Sequence, residues 1–236
     1  MQNSLKLLAV DTALGACSAA VLWGDKILFH HFEEMARGHA EALAPLVERA
    51  MREAGIGFAE LDRLAVTTGP GTFTGQRVGL SFMRGLKVAL HKPLIGITTL
   101  EAMAAAACFS VTPSGLRQGS KAAAIHDAKR EEAYLLLWEN SQTVLAPAVM
   151  PFAEAVEKIR TFGPCALAGT GAAAAHAALG SEFILSDIRQ PDALWVARLA
   201  QDRPASDMPP APLYLRAPDA KLPNASIKDG KASGAA

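Results

Sequence analysis

Cysteine is scarce in this sequence: Cys17, Cys108 and Cys165 are the only three in 236 residues. An odd number with no CxxC spacing argues against a disulfide framework or a zinc knuckle and points to a reducing compartment. Each lies among apolar or small neighbours, where a free thiol behaves as a small buried hydrophobe and not as a nucleophile. An excess of one charge is missing too, since 23 Lys and Arg balance 23 Asp and Glu. A chain that grips RNA unaided carries a basic face, because phosphate neutralisation supplies most non-specific affinity. Contact with RNA is therefore expected only through a complex. No apolar stretch is long enough to span a bilayer, and the run near the N-terminus stops at Asp11, too short for a signal sequence. The expectation is a cytoplasmic protein without membrane contact. The six histidines, His30, His31, His39, His91, His126 and His176, form no HxxxH or HExxH pair. No GxSxG or Ser-His-Asp cue is present, so local sequence supports neither a metal site nor a hydrolase triad. Residues 126–130 read as a solvated hairpin turn.

What is present suits a packed α/β protein. Half of the residues are hydrophobic, enough to bury a real core in one large domain or two small lobes. Apolar runs predict strands over 5–10, 17–23 and 26–32, with a tight turn at Gly24-Asp25. A helix is predicted over 38–54, with Pro45 implying a kink or a late start and Gly55 a stop. A strand over 64–68, a helix over 75–90, a strand over 94–97 and an Ala-rich helix over 100–108 follow. This order of antiparallel hairpins and crossovers defines an α/β lobe. The second part shows strands near 122–125, 133–138 and 166–168, and helices near 152–161, after Gly171 and over 193–201. The division expected is a first lobe over 1–109, a smaller second lobe over 110–216, and a disordered tail over 217–236 lacking apolar periodicity. Residues 110–120 read as the linker, and no internal sequence repeat is visible.

Two segments are candidates for holding an anion or nucleotide. Asp11 and Thr12 end the first strand, where small residues would let backbone N–H groups approach phosphate oxygens. Ala13 and Leu14 suit such a loop poorly, so an Asp that caps its own turn is the favoured alternative. The loop Thr67 to Arg77, with Gly69, Gly71 and Thr72, joins a strand to a helix start. It is neither a Walker loop nor GxGxxG, and spacing alone leaves an anion site and a glycine-dependent turn equally open.

The helix after that loop reads as a docking face. Gly75, Gly79, Phe82 and Leu86 share one side, and each internal glycine costs about 1 kcal/mol relative to alanine, which implies close approach of another backbone. Val78, Met83, Val88 and Leu90 widen the apolar surface, while Arg77, Ser81 and Arg84 form a polar rim. With His39 and Leu43 of the preceding helix, these residues make the predicted partner interface. Burial inside the same domain is the competing reading.

The runs LLAVDTALGACSAAVL, RGHAEALAPLVERAM and LAVTTGPGTFTGQRVGLSFMRGLKVALHKPLIGITTLEAMA, with the later PLYLRAP, resemble the TsaB (YeaZ) family. The match is dense over 5–104 and thin over 105–210. The resemblance implies an actin/sugar-kinase/Hsp70-like (ASKHA), ribonuclease-H-like α/β fold with two lobes, the second reduced. It implies a role in forming threonylcarbamoyladenosine in tRNA, as a non-catalytic partner of a TsaD-like catalytic subunit and a TsaE-like ATPase. Self-pairing of the isolated chain is an open alternative, as is ATP or ADP within the complex; no tightly bound cofactor is expected. Where TsaD-like relatives carry an HxxxH metal pair, this sequence has Thr99 and Met103, neither a good ligand for a hard cation. Departures at Asp127-Ala128-Lys129 and Gly169-Thr170-Gly171 bear on ligand binding by the second lobe. The competing functions are a small kinase or ATPase of the same superfamily and, least supported, a glycoprotease-type peptidase.

Overall fold

A computed structural model describes residues 5–109, 121–206 and 208–216. The chain opens with strands β1 (Lys6–Asp11), β2 (Ala16–Trp23) and β3 (Lys26–Glu34), then helix α1 (His39–Ala54). Next come β4 (Arg63–Thr67), α2 (Phe73–Leu90), β5 (Leu94–Ile97) and α3 (Thr99–Phe109). The second half runs β6 (Lys121–Lys129), β7 (Glu132–Glu139), β8 (Gln142–Pro151), α4 (Phe152–Phe162), β9 (Ala166–Ala168), α5 (Ala172–Leu179), β10 (Ile184–Leu185) and α6 (Ala193–Asp202). The predicted linker and tail, 110–120 and 217–236, lie outside the described residues.

The strands form two five-stranded sheets, ordered β3-β2-β1-β4-β5 and β10-β9-β6-β7-β8. In each, three strands pair antiparallel and two add in parallel. The halves are thus copies of one topology, although the sequence shows no repeat. The second copy is the smaller in its parallel part, where β9 has 3 residues and β10 only 2.

Side-chain alternation sorts the first sheet into two apolar faces. Leu8, Val10, Val21, Leu64 and Val66 pack against α1 and α2. Leu7, Ala9, Ala20, Leu22 and Ala65 pack against Ala193, Val196, Ala197 and Ala200 of α6. The second sheet turns Ile125, Leu135 and Leu167 toward Val156 and Ile159 of α4. Its other face, Ala122, Ala124, Leu136, Trp138 and Ala166, receives Leu100, Met103, Ala104 and Ala107 of α3. Helices α3 and α6 touch each other between the sheets. Because α3 is covered on all sides, its residues 99–107 are all buried, as its uniformly apolar composition requires.

This packing differs from the division at residues 109 and 110. The inner helix α3 precedes that point but packs on the second sheet, and α6 follows it but packs on the first. The physical reason is size: the alanines on both inner faces let helices approach closely from either half. Polar contacts hold α6 in place. The His30 imidazole bridges both Asp192 carboxylate oxygens at 2.9 and 3.0 Å, and Asp192 caps the helix by accepting from the Leu194 amide. At the other end, the Arg63 guanidinium donates to the carbonyls of Ala200, Gln201 and Arg203.

Some local expectations shift. Helix α1 begins at His39 and runs through Pro45, without a late start. The strands β8 and β10 have no counterpart among the elements expected from the sequence: β8 carries Pro147 and a mostly exposed first half, which blurs its periodicity. His126 is not in a solvated turn; it sits within β6 and is 7 % exposed, and the turn comes later, at Lys129–Glu131.

Candidate functional site

The two candidate anion loops meet. The β1–β2 turn lies against the loop before α2: the Thr72 amide donates to the Ala13 carbonyl at 2.9 Å, and the Thr12 hydroxyl donates to the Gly75 carbonyl at 2.7 Å. Gly71 and Gly75 have no Cβ because the Ala13 and Thr12 carbonyl oxygens occupy that space. Gly69 has φ of +109°, a conformation open to glycine. Two backbone donors at the start of α2 are engaged by the chain itself, the Gly75 amide by the Thr72 hydroxyl and the Gln76 amide by the Thr72 carbonyl.

Asp11 is fully buried. Its Oδ1 accepts from the Thr67 hydroxyl at 2.5 Å and the Ala13 amide at 3.2 Å, while Oδ2 has no hydrogen-bond partner. Burial, reinforced by the neighbouring Asp192 charge and opposed by those two hydrogen bonds, raises its pKa from 3.8 to about 7. A carboxyl so placed is not the solvated, ionised group that holds a phosphate-bound cation. Next to it Leu14 is 8 % exposed and joins Leu100, Met103 and Trp138 in the apolar cluster between the sheets. The turn after β1 thus packs its leucine against the helix and strand between the two sheets.

The positions in place of the metal pair are also closed. The Thr99 hydroxyl donates to the Pro70 carbonyl at 2.7 Å, and Met103 is fully buried. These residues do not fit a divalent cation. Among the described residues no group of three or more His, Cys, Asp and Glu could hold a metal ion. Desolvation pushes the Cys17 and Cys108 thiols up to about 11 and Cys165 to about 12, so none is a ready thiolate nucleophile. Desolvation also lowers His126 to about 4, against the attraction of Asp127.

The predicted partner face requires correction. Gly75 does admit a close-packed backbone, but it is this chain's own Thr12 carbonyl, and Gly79 admits side chains of the same chain: a Cβ on Gly79 would lie 2.8 Å from the Thr12 hydroxyl oxygen and 3.4 Å from Val66. Leu43 is 1 % exposed in the core under α1, and Val78, Phe82 and Leu86 pack against the same core. His39 is half-buried. Arg84 is drawn off the rim, donating to the Pro210 carbonyl at 2.6 Å. What α2 exposes is the opposite stripe: Phe73, Arg77, Ser81, Gly85 and Val88. A Cβ on Gly85 would meet nothing within 4 Å, and Val88 is 72 % exposed. Phe73 stacks on Tyr214, their centroids 6.0 Å apart, and Arg77 lies 3.4 Å over the Phe73 ring while donating to the Tyr214 hydroxyl. Phe73, Gly85 and Tyr214 stand outside the face expected from the sequence, whereas Val88 belongs to the widened apolar surface read there. The period-3.6 pattern holds Phe73 and Gly85; Tyr214 lies 137 residues from Arg77, and only folding brings it there.

Duplicated three-antiparallel, two-parallel sheets with helices between them define an ASKHA-class protein. A family model described as TsaD, tRNA N6-adenosine threonylcarbamoyltransferase, matches residues 31–186. The tRNA threonylcarbamoyladenosine biosynthesis protein TsaB of Haemophilus influenzae is 32% identical over 235 residues, spanning 92% of this chain and 95% of that protein. TsaB of Escherichia coli is 39% identical over 100 residues, 42% of this chain and 43% of that protein. A crystal structure from Pseudomonas aeruginosa, of an uncharacterized protein with similarity to peptidase YEAZ, superposes with a TM-score of 0.74 at 26% identity, covering 89% of this chain and 99% of that one. The chain belongs to the TsaB (YeaZ) family and takes part in tRNA threonylcarbamoyladenosine biosynthesis. No helix among the described residues is long and apolar enough to cross a membrane.

Proposed function

We propose that this chain is a non-catalytic subunit that supports a TsaD-like transferase, with a TsaE-like ATPase, in moving threonylcarbamoyl to the adenosine next to the anticodon of tRNA. The observation that supports this reading is the packing around the first turn: Asp11 is buried and Leu14 joins the apolar cluster between the sheets. A kinase or ATPase needs that turn for its nucleotide, and a metal-dependent transferase needs ligands where Thr99 and Met103 stand. The residues kept open on the outer side of α2 suit docking instead, with Phe73, Arg77 and Tyr214 forming an aromatic and cationic knuckle of the kind enriched at interface centres. In this reading the chain works in the cytoplasm, holds no cofactor tightly, meets tRNA through its partners, and self-pairs through the same face when alone.

Reconstitution of the transfer tests this. Purified TsaD-like and TsaE-like proteins, threonylcarbamoyl-adenylate and tRNA should give product only when this chain is added, and the chain alone should give none. Product formed by this chain alone, or an unchanged yield when it is omitted, would refute the proposal.

A further inference from the structure

A cavity lies at the junction of the sheets, beside the apolar cluster that holds Leu14 and Trp138. It encloses about 510 Å³, a size within the range of small-molecule sites. Three elements from both halves of the chain build it: the end of α3 supplies Phe109, α6 supplies Trp195, Arg198 and Asp202, and β7 with the turn after it supplies Trp138 and Ser141. Two of the protein's three tryptophans therefore line one cavity. Trp138 is almost fully buried and forms a fixed wall, whereas Phe109 is 65 % exposed. Phe109 stacks on Trp195 with centroids 5.3 Å apart and ring planes inclined by 23°. The Arg198 guanidinium lies 4.5 Å from the Trp195 ring.

A phenyl ring stacked on an indole yet left exposed keeps apolar surface in water that burial would favourably remove. A flat π-surface in that state is complementary to another flat ring. The charged groups at the rim differ in role. Arg203, also on the lining, is engaged by the buried Glu101 carboxylate at 2.9 Å. Arg198 and Asp202 remain, a donor and an acceptor one helical turn apart on α6. An aliphatic ligand would use neither charge, and a simple anion would meet Asp202 as well as Arg198. A heteroaromatic ring with both acceptor and donor atoms on its edge uses the stacking surface and both charges.

We infer that the cavity between Phe109, Trp138 and Trp195 is a binding site for a nucleobase. A free nucleotide and an unpaired base of RNA share that chemistry. The site is separate from the docking stripe on α2 and does not depend on the role proposed for it.

Tryptophan fluorescence of the full chain tests the inference, with adenosine monophosphate and a short single-stranded RNA titrated separately. A saturable change is expected, surviving in Trp23→Phe and lost in Trp195→Ala. Arg198→Ala should weaken binding about tenfold, the loss of one charged contact, and as a surface change it leaves the fold intact if Trp195→Ala does not. Saturation by the mononucleotide identifies a free nucleotide as the ligand; saturation by RNA alone identifies an unpaired base. No saturable change with either probe, or a response untouched by Arg198→Ala and Trp195→Ala, overturns the site.

Discussion

A Cβ on Gly79 would lie 2.8 Å from the Thr12 hydroxyl oxygen, and that hydroxyl is committed to the Gly75 carbonyl at 2.7 Å. The notch in α2 is therefore filled from within, by the turn that in a nucleotide-binding relative would face phosphate. Gly79→Leu should lower the stability of the isolated chain by up to about 2 kcal/mol: overpacking costs roughly 1–3 kcal/mol, and the gain in helix propensity offsets about 1 kcal/mol of it. Urea unfolding of the chain alone measures this. Normal stability with lost partner binding would mean that the notch faces outward.

The outer stripe should behave in the opposite way. Gly85→Arg and Val88→Asp change exposed positions, Gly85 with nothing within 4 Å of its would-be Cβ. Val88→Asp should alter stability by about 0.5 kcal/mol or less, and Gly85→Arg should raise it by up to about 1 kcal/mol through helix propensity. Both variants should stay folded yet co-purify poorly with a TsaD-like partner. Undiminished co-purification would move the interface off α2.

Asp11 should make the protein less stable as pH rises. Its folded pKa of about 7 exceeds the ordinary 3.8, so below pH 4 the group costs nothing. Between about 4 and 7 only the unfolded chain ionises, and stability falls; above 7 the loss is complete, on the order of a few kcal/mol. Asp11→Asn should flatten that part of the profile, matching the parent at pH 4 and exceeding it at pH 8. Parallel pH profiles from chemical unfolding would contradict the assignment.

His126 acts on the acid side. Its folded pKa of about 4 lies below 6.5, so its contribution is intact above pH 6.5. As pH falls from 6.5 to 4 only the unfolded chain takes up the proton, and stability declines. His126→Gln should remove that decline and leave the profile above pH 7 unchanged, as read from unfolding midpoints at pH 4.5 and 7.5.

The last described residues tie the two halves together. The Leu213 amide donates to the Thr68 carbonyl at 2.7 Å, and Arg216 donates to the Ala128 carbonyl and pairs with Glu132. Arg216→Ala should speed hydrogen exchange around residues 128–132 while leaving the core of α1 and β1 protected. Uniform protection across both regions would show that the strap bears no part of the connection.

Most elements can be read from the chain because their signals are local. Continuous apolar runs and period-3.6 patterns place β1 to β5 and α1 to α3 within a residue or two, and Gly55 stops α1 where its φ of +68° allows. The short strands β9 and β10 rely on neighbours for their hydrogen bonds, and β10 carries no pattern of its own. Among site residues, Asp11, Gly71 and Thr72 stand out in the sequence as unusual. The meeting of their two loops is a long-range fact, since Thr12 and Gly75 are 63 residues apart, and so is the direction of the glycine face. Helical spacing states which residues share a side; it does not state what covers that side.

The order of residues alone determined the family, the alternation of strands and helices, and the absence of ligand-type residues at Thr99 and Met103. Tertiary structure decided which helix lies on which sheet, that Leu14 is buried between the sheets, and that the notch in α2 opens inward. Patterns of apolar side chains are set by neighbours a few positions away. Burial, proton affinity and accessible surface depend on atoms brought together from the far ends of the chain, where loop closure separates contact from sequence distance.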